Sequence, residues 1–218
     1  MPASRAEEEG QALSSATFWD ARYADADGKQ PTHEWFKSFD SLQPFFERHL
    51  FHNRSEDSRI LHLGSGDSTV PQCLAQRGYR NQLCLDFSPV VVKLMAAQAP
   101  RGVEWRQGDV RDMHDVLDGS VDVAFDKGTM DAMIWGSPWD PPEEVRENTS
   151  RYVAEVHRVL KDDGVFLYVT FRQPHFIKPL INGDGRWELE MEVLREGESA
   201  FDYHAFILRK RKGSGLAG

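Results

Sequence analysis

Glycines and carboxylates follow the apolar segments of this chain at spacings that suit a nucleoside-containing ligand. Gly64 and Gly66 come directly after the apolar run 59–63, and glycine there permits a sharp turn and a close approach of a ligand to the backbone. Asp86 stands 20 residues after Gly66, at the end of the next apolar run. A carboxylate at that place can accept hydrogen bonds from both hydroxyls of a ribose.

The glycine and Asp86 pattern is shared by dinucleotide enzymes and methyltransferases, and two features favour the second class. A dinucleotide fingerprint has a third glycine where this chain has Thr69, and S-adenosylmethionine has no phosphate that would need it. After a third apolar run, Asp109 can accept from the exocyclic amine of adenine, and Val110 can pack on its ring. Alone, Asp109 could equally cap a short helix.

A charged cluster follows the fourth apolar run, 121–125, which is an unusual place for purely structural charges. Asp126, Lys127 and Asp131 are therefore candidate catalytic residues. The alternative for Asp131 is a structural role at the start of a helix.

Aromatic residues are concentrated before the first glycine motif. Trp19 and Tyr23 are four residues apart on one face of a predicted helix, and Trp35 follows a proline-containing loop. By pattern alone these residues favour core packing over a wall for a ligand.

The elements that would position these residues alternate between short apolar runs and amphipathic stretches, which indicates a parallel sheet with helices on both faces. Two strand-like runs near the end, 187–194 and 203–208, are joined only by a turn. We therefore predict an α/β fold, a Rossmann-like, doubly wound and mostly parallel seven-stranded sheet with an antiparallel C-terminal hairpin. The predicted helices are 10–24, 38–51, 70–77, 88–99 and 145–160, and the other predicted strands are 59–63, 82–85, 103–107, 121–125 and 165–169.

Net charge, residue spacing and the lack of certain motifs argue against several classes of function. The formal net charge of −9 argues against nucleic acid as the main partner. Histidine and cysteine spacings predict no metal site, no GxSxG motif indicates a hydrolase, and no apolar stretch is long enough to span a membrane. We expect a cytoplasmic monomer with a flexible segment at 1–16, one domain at 17–210 and a disordered tail at 211–218.

With these residues in view, the chain resembles the class I (seven-β-strand) S-adenosylmethionine-dependent methyltransferases, and more narrowly the methyltransferase-like group that includes the elongation factor 1-alpha lysine methyltransferases. The resemblance covers about residues 17–170. Its segments are FWDARY, EWF, ILHLGSGDS, LDFSPVVV, GDV and DKGTMDAM, of which KGTMDAM and the early aromatic motif are the most specific.

The resemblance implies S-adenosylmethionine as cofactor and assigns roles that the pattern alone leaves open. It implies that Trp19, Tyr23 and Trp35 enclose the cofactor rather than only pack the core. The other cofactor-binding residues implied are Gly64 and Gly66 of the glycine motif, Asp86, Phe87, Asp109, Val110 and Lys127. The chain departs from the group at Asp126, where glutamate is more frequent, and at Ser65, where cysteine is common.

The acceptor implied by the resemblance is a lysine amine of a protein, with elongation factor 1-alpha as the example. Asp126 and Asp131 could orient such an amine, while Trp135, His175 and Phe176 could line the acceptor side. Two alternatives stay open at this stage: a small-molecule O-, N- or S-methyltransferase, and a cofactor-binding scaffold that acts by interaction without catalysis.

Overall fold

The computed structural model describes residues 5–26, 31–195 and 201–211, with the side chains described from residue 8 onward. A seven-stranded sheet in the order β3-β2-β1-β4-β5-β7-β6 forms its centre. The strands are β1 (Ile60–Leu63), β2 (Gln82–Asp86), β3 (Val103–Gln107), β4 (Val121–Lys127), β5 (Leu160–Thr170), β6 (Trp187–Leu194) and β7 (Tyr203–Lys210).

The first five strands are parallel, and β7 runs antiparallel to both β5 and β6. The prediction of a mostly parallel, doubly wound sheet with a C-terminal hairpin is therefore confirmed. All residues of β1 and β2 are buried, as expected for parallel strands covered by helices on both faces.

Eight α-helices accompany the sheet in the described part of the chain. They are α1 (Arg5–Ala12), α2 (Ala16–Tyr23), α3 (Phe39–Phe46), α4 (Val70–Gln76), α5 (Pro89–Ala96), α6 (Thr129–Met133), α7 (Glu143–Val159) and α8 (Pro174–Asn182), with a π-helical turn at Glu47–Phe51 after α3. In this part of the chain no helix is long and apolar enough to cross a membrane.

Local sequence explains where the principal helices begin and which face they bury. Ser88 accepts from the backbone N–H of Val91 and Pro89 occupies the first turn, so α5 starts there. In α7, Val145, Thr149, Tyr152 and Val156 recur at helical spacing and are buried, which places one stripe against the sheet.

The structure corrects the predicted elements at three places. Residues 10–24 do not form one helix, since α1 and α2 are separated at residues 13–15. The helices α6 and α8 were not predicted, because α6 is only five residues long and Pro179 interrupts the pattern of α8. Residues 5–12 of the segment 1–16 are helical, and the flexibility of that segment stays a prediction. Residues 212–218 of the predicted tail lie outside the described residues.

Candidate active site

A cavity opens at the carboxyl ends of the parallel strands, where ligands bind in doubly wound sheets. Most of the candidate site residues that the sequence indicated lie along the wall of this cavity. They are Trp19, Tyr23, Trp35, Gly64, Gly66, Asp86, Phe87, Asp109, Val110, Lys127 and Asp131.

The turn after β1 needs glycine at both of its motif positions. Gly64 has a φ of +61° and Gly66 a φ of +53°, a region that other residues enter only at a cost. A Cβ atom on Gly64 would also clash with Oγ1 of Thr129. That hydroxyl donates to the carbonyls of Leu63 and Gly64, so the turn and the start of α6 are fitted to each other.

We expect Gly64→Ala to lower the free energy of unfolding by about 2–5 kcal/mol, because the backbone strain of an alanine at positive φ and the clash with Thr129 both destabilise the fold. Urea denaturation measures this change. Gly119→Ala is the matched control: Gly119 has a φ of +58° but no neighbour within 4 Å of its Cβ position, so it should cost only about 1–2 kcal/mol. Equal losses in the two variants would show that Thr129 does not restrict the turn.

Asp86 lies at the end of β2 and is almost fully buried. Its two oxygens accept from the backbone N–H groups of Gly66, at 2.8 Å, and Ser88, at 2.9 Å. Burial raises the pKa of this carboxyl to about 6, against the effect of both hydrogen bonds. A carboxylate has about four acceptor positions, so two remain for a ligand.

The loop after β3 supplies a carboxylate and an apolar surface. Asp109 accepts from the guanidinium of Arg111, with Nη2 at 2.7 Å, and from the Arg111 backbone N–H at 2.8 Å. Val110 is buried beside it and lines the cavity. The Asp109 side chain is thereby held at the cavity edge by its own loop.

Three aromatic rings from the region before β1 pack against one another over the cavity. The ring of Trp19 lies 5.9 Å from that of Tyr23 and 5.9 Å from that of Trp35. Trp19 Nε1 donates to the carbonyl of Leu13 at 2.7 Å, which fixes the ring relative to the break between α1 and α2. Tyr23 belongs to the buried core and Trp19 packs against it, while all three rings line the cavity.

Lys127 and Asp131 line the cavity, and both have partners within the protein. Lys127 Nζ donates to Glu34 Oε1 and to the carbonyl of Trp35, each at 2.7 Å. Asp131 accepts from the hydroxyls of Tyr168, at 2.7 Å, and Thr170, at 2.6 Å. Burial raises the pKa of Asp131 to about 6, while these two hydrogen bonds lower it.

Asp126 does not reach the cavity, and the prediction that it is catalytic conflicts with its surroundings. It is fully buried. Its oxygens accept from the backbone N–H groups of Thr129 and Met130, which start α6, and from the hydroxyl of Tyr152 at 2.7 Å. Burial raises its pKa to about 7. Asp126 therefore holds α6 on β4 and α7.

Replacement of Tyr152 by phenylalanine tests this structural role. We expect a loss of about 1.5–3 kcal/mol in the free energy of unfolding, because a buried acid loses one of its three donors. Tyr79→Phe is the control, since the Tyr79 hydroxyl donates to a neutral carbonyl, that of Arg54, and should cost about 0.5–1.5 kcal/mol. A loss for Tyr152→Phe no greater than that of the control would contradict the role assigned to Asp126.

The three residues predicted for the acceptor side do not line this cavity either. Trp135 is covered by α1, where a Cβ on Gly10 would lie 3.1 Å from the Trp135 Cβ, and it packs against the core. His175 and Phe176 lie on α8 and pack against Trp139, with ring centroids 5.8 and 4.7 Å away. They line a separate depression between the 138–141 loop, α7 and α8.

The sequence reasoning missed several cavity residues, and Glu34 is one of them. Glu34 forms a partly buried ion pair with Lys127 and also accepts hydrogen bonds from Ser68 and Thr69. A signal was present: a lysine at the end of a buried strand requires a counter-charge. Phe36, Thr129, Phe171 and Arg172 were also missed and complete the wall towards β5.

Comparison with known proteins identifies the family. A model described as "Methyltransferase domain" matches residues 61–168. The mouse protein named EEF1A lysine methyltransferase 4 is 35% identical over 199 residues, which cover 88% of this chain and 74% of that protein. The chain belongs to the class I S-adenosylmethionine-dependent methyltransferases. The bovine EEF1A lysine methyltransferase 4 is 32% identical over 205 residues, covering 92% and 77% of the two chains.

A solved structure shows that this methyltransferase shares its fold with distant members. The Burkholderia thailandensis 1,6-didemethyltoxoflavin-N1-methyltransferase, solved with bound S-adenosylhomocysteine, superposes with a TM-score of 0.63 at 14% identity, covering 97% of this chain and 93% of that one. At this identity the likeness shows the fold alone.

Proposed function

We propose that this methyltransferase transfers a methyl group to a lysine amine of a protein, with elongation factor 1-alpha as the first candidate. The observation that carries the proposal is the end of the cavity at β4 and β5, which is lined by aromatic rings and by the Asp131 carboxylate, with Arg172 Nε 3.6 Å from it. Phe36 and Phe171 line this end, with ring centroids 5.4 Å apart. A carboxylate beside aromatic rings suits an alkylammonium group. The names of the mouse and bovine relatives support the same acceptor.

The cofactor fits the other end of the cavity. We assign the free acceptor positions of Asp86 to the ribose hydroxyls, and Asp109, Val110 and Phe87 to the adenine. Asp109 can take this role while it stays bonded to Arg111, since an ionised carboxylate accepts more than two hydrogen bonds. The turn at Gly64 and Gly66 lets the methionine portion approach the backbone, and the wall of Trp19, Tyr23 and Trp35 excludes water.

The protein contributes to this reaction by aligning the methyl donor with the acceptor amine and by excluding water from both. When bound, S-adenosylmethionine supplies a methyl group that its sulfonium charge has already activated. The lysine amine must arrive neutral, because only its lone pair can form the new N–C bond as the S–C bond breaks. Asp131 orients the amine and stabilises the charge that develops on it, and the displaced proton passes to water.

A small-molecule acceptor is the second candidate, and the walls of the cavity favour it, since Leu13, His33 and Trp35 from the region before β1 line it in addition to the strand ends. Methyl-labelled S-adenosylmethionine separates the two candidates when the enzyme is given unmethylated elongation factor 1-alpha or a protein-free metabolite extract. We expect label on a lysine of the elongation factor, and its loss when that lysine is changed to arginine. Label only in the extract would support the second candidate, and label in neither would contradict the lysine proposal.

A further inference from the structure

The Glu34 carboxylate is unusual in this structure because four donors surround it. Oε1 accepts from Lys127 Nζ at 2.7 Å and from Ser68 Oγ at 2.8 Å. Oε2 accepts from the backbone N–H of Thr69 at 3.1 Å and from its Oγ1 at 2.9 Å. All of its acceptor positions are therefore used within the protein. Although burial raises it, the charge and hydrogen bond of Lys127 lower the pKa of the Glu34 carboxyl below its usual value.

These contacts join three parts of the chain that are distant in sequence. Glu34 belongs to the segment 31–37, which lies before α3 and lines the cavity with residues 33–36, and which we call the wall segment. Ser68 and Thr69 follow the glycine turn after β1, and Lys127 ends β4. Lys127 also donates to the carbonyl of Trp35. The lysine therefore holds both the Glu34 side chain and the Trp35 backbone.

The wall segment carries backbone strain directly after this anchor. Phe36 has a φ of +63° and is the one non-glycine residue with positive φ among the described residues. This conformation costs about 1–2 kcal/mol for an L-residue and persists only where the surroundings enforce it. The Phe36 ring packs over Gly128, where a Cβ would lie 3.2 Å away. Contacts on both sides of the strained residue thus hold it.

We propose that Glu34 is a positioning residue of the donor site, which holds the wall segment so that Trp35 closes the cavity over the cofactor while Phe36 stays at the acceptor end. Glu34 acts through these neighbours and through Lys127. The inference rests on binding of S-adenosylmethionine and does not depend on which acceptor the enzyme uses.

Glutamine cannot replace Glu34 without loss, although it has nearly the same shape. Lys127 Nζ and the Thr69 N–H can only donate, and they face opposite oxygens of the carboxylate. Whichever end carries the amide NH2 therefore meets a donor. We expect Glu34→Gln to raise the Kd for S-adenosylhomocysteine about tenfold or more, measured by calorimetry.

Kinetics with the same variant distinguish positioning from general damage. We expect KM for S-adenosylmethionine to rise with the Kd, while kcat at saturating cofactor stays within about threefold, because bound cofactor restores the wall. Glu192→Gln is the matched control. Glu192 accepts from Arg48 and His49 far from the cavity and should leave KM and Kd unchanged.

A milder variant keeps the inference testable if Glu34→Gln fails to fold. Thr69 does not line the cavity, and its hydroxyl donates to Glu34, so Thr69→Val removes one donor from Glu34 and should raise the Kd about threefold. An unchanged Kd in folded Glu34→Gln or Thr69→Val would overturn the proposal, as would an equal loss in Glu192→Gln. Absence of binding by the wild type would instead contradict the donor assignment itself.

Discussion

Asp86→Asn is expected to raise the Kd for S-adenosylmethionine and S-adenosylhomocysteine by about 10- to 100-fold. Both carboxylate oxygens face backbone N–H groups, those of Gly66 and Ser88. An asparagine therefore turns its NH2 towards one donor and also loses half of the acceptor positions left for the ribose. Calorimetric titration of the folded variant with S-adenosylhomocysteine gives the change directly.

A second aspartate serves as the control for this experiment. Asp122 also accepts from a backbone N–H, that of Arg59 at 2.8 Å, and from Lys161. It lies at the start of β4, at the edge of the sheet opposite the cavity. Asp122→Asn should leave the Kd unchanged. If Asp86→Asn binds as tightly as Asp122→Asn does, the ribose assignment is wrong.

The largest expected effect on turnover is that of Asp131→Asn, a fall in kcat of about 100-fold or more. The variant keeps the size of the side chain and removes the charge that orients the acceptor amine. Because Asp131 lies at the acceptor end, the Kd for S-adenosylhomocysteine should change by less than about twofold. Steady-state methylation of the acceptor with methyl-labelled S-adenosylmethionine gives kcat, and calorimetry gives the Kd. A variant with wild-type kcat would show that Asp131 is only structural.

The pH profile gives an independent check on Asp131. The ionised carboxylate is the active form, so below about pH 6, where the Asp131 carboxyl titrates, the rate should fall more steeply with pH than protonation of the acceptor amine alone would make it fall. The Tyr168 hydroxyl stabilises the ionised form. Tyr168→Phe should therefore raise the pKa of Asp131 and shift the start of this steeper fall to higher pH. A shift in the opposite direction would contradict the assignment.

The site residues at the strand ends could be predicted from the sequence, because their positions follow from the local pattern of apolar runs. Gly64, Asp86 and Asp109 each come directly after a short apolar run, and parallel strands bring their carboxyl ends to one edge of a sheet. No knowledge of distant contacts is needed for that step.

The errors have a different physical origin, which is the direction of side chains after the strand ends. Asp126 and Asp131 look equivalent in sequence, yet Asp126 turns inward to start α6 and Asp131 faces the cavity. His175 and Phe176 follow β5 closely, but α8 turns them towards Trp139. Glu34 was missed because all its partners are more than 30 residues away.

The two outermost strands of the sheet have a consequence for contacts between molecules. Unpaired backbone groups on an edge strand can recruit a strand from another chain, and charged side chains oppose this. β3 carries Glu104 and Arg106, and β6 carries Glu188, Glu190 and Glu192 among its apolar residues. A strand from another chain that paired with β3 or β6 would have to desolvate these charges. The charged side chains on the two edge strands therefore oppose aggregation through the sheet.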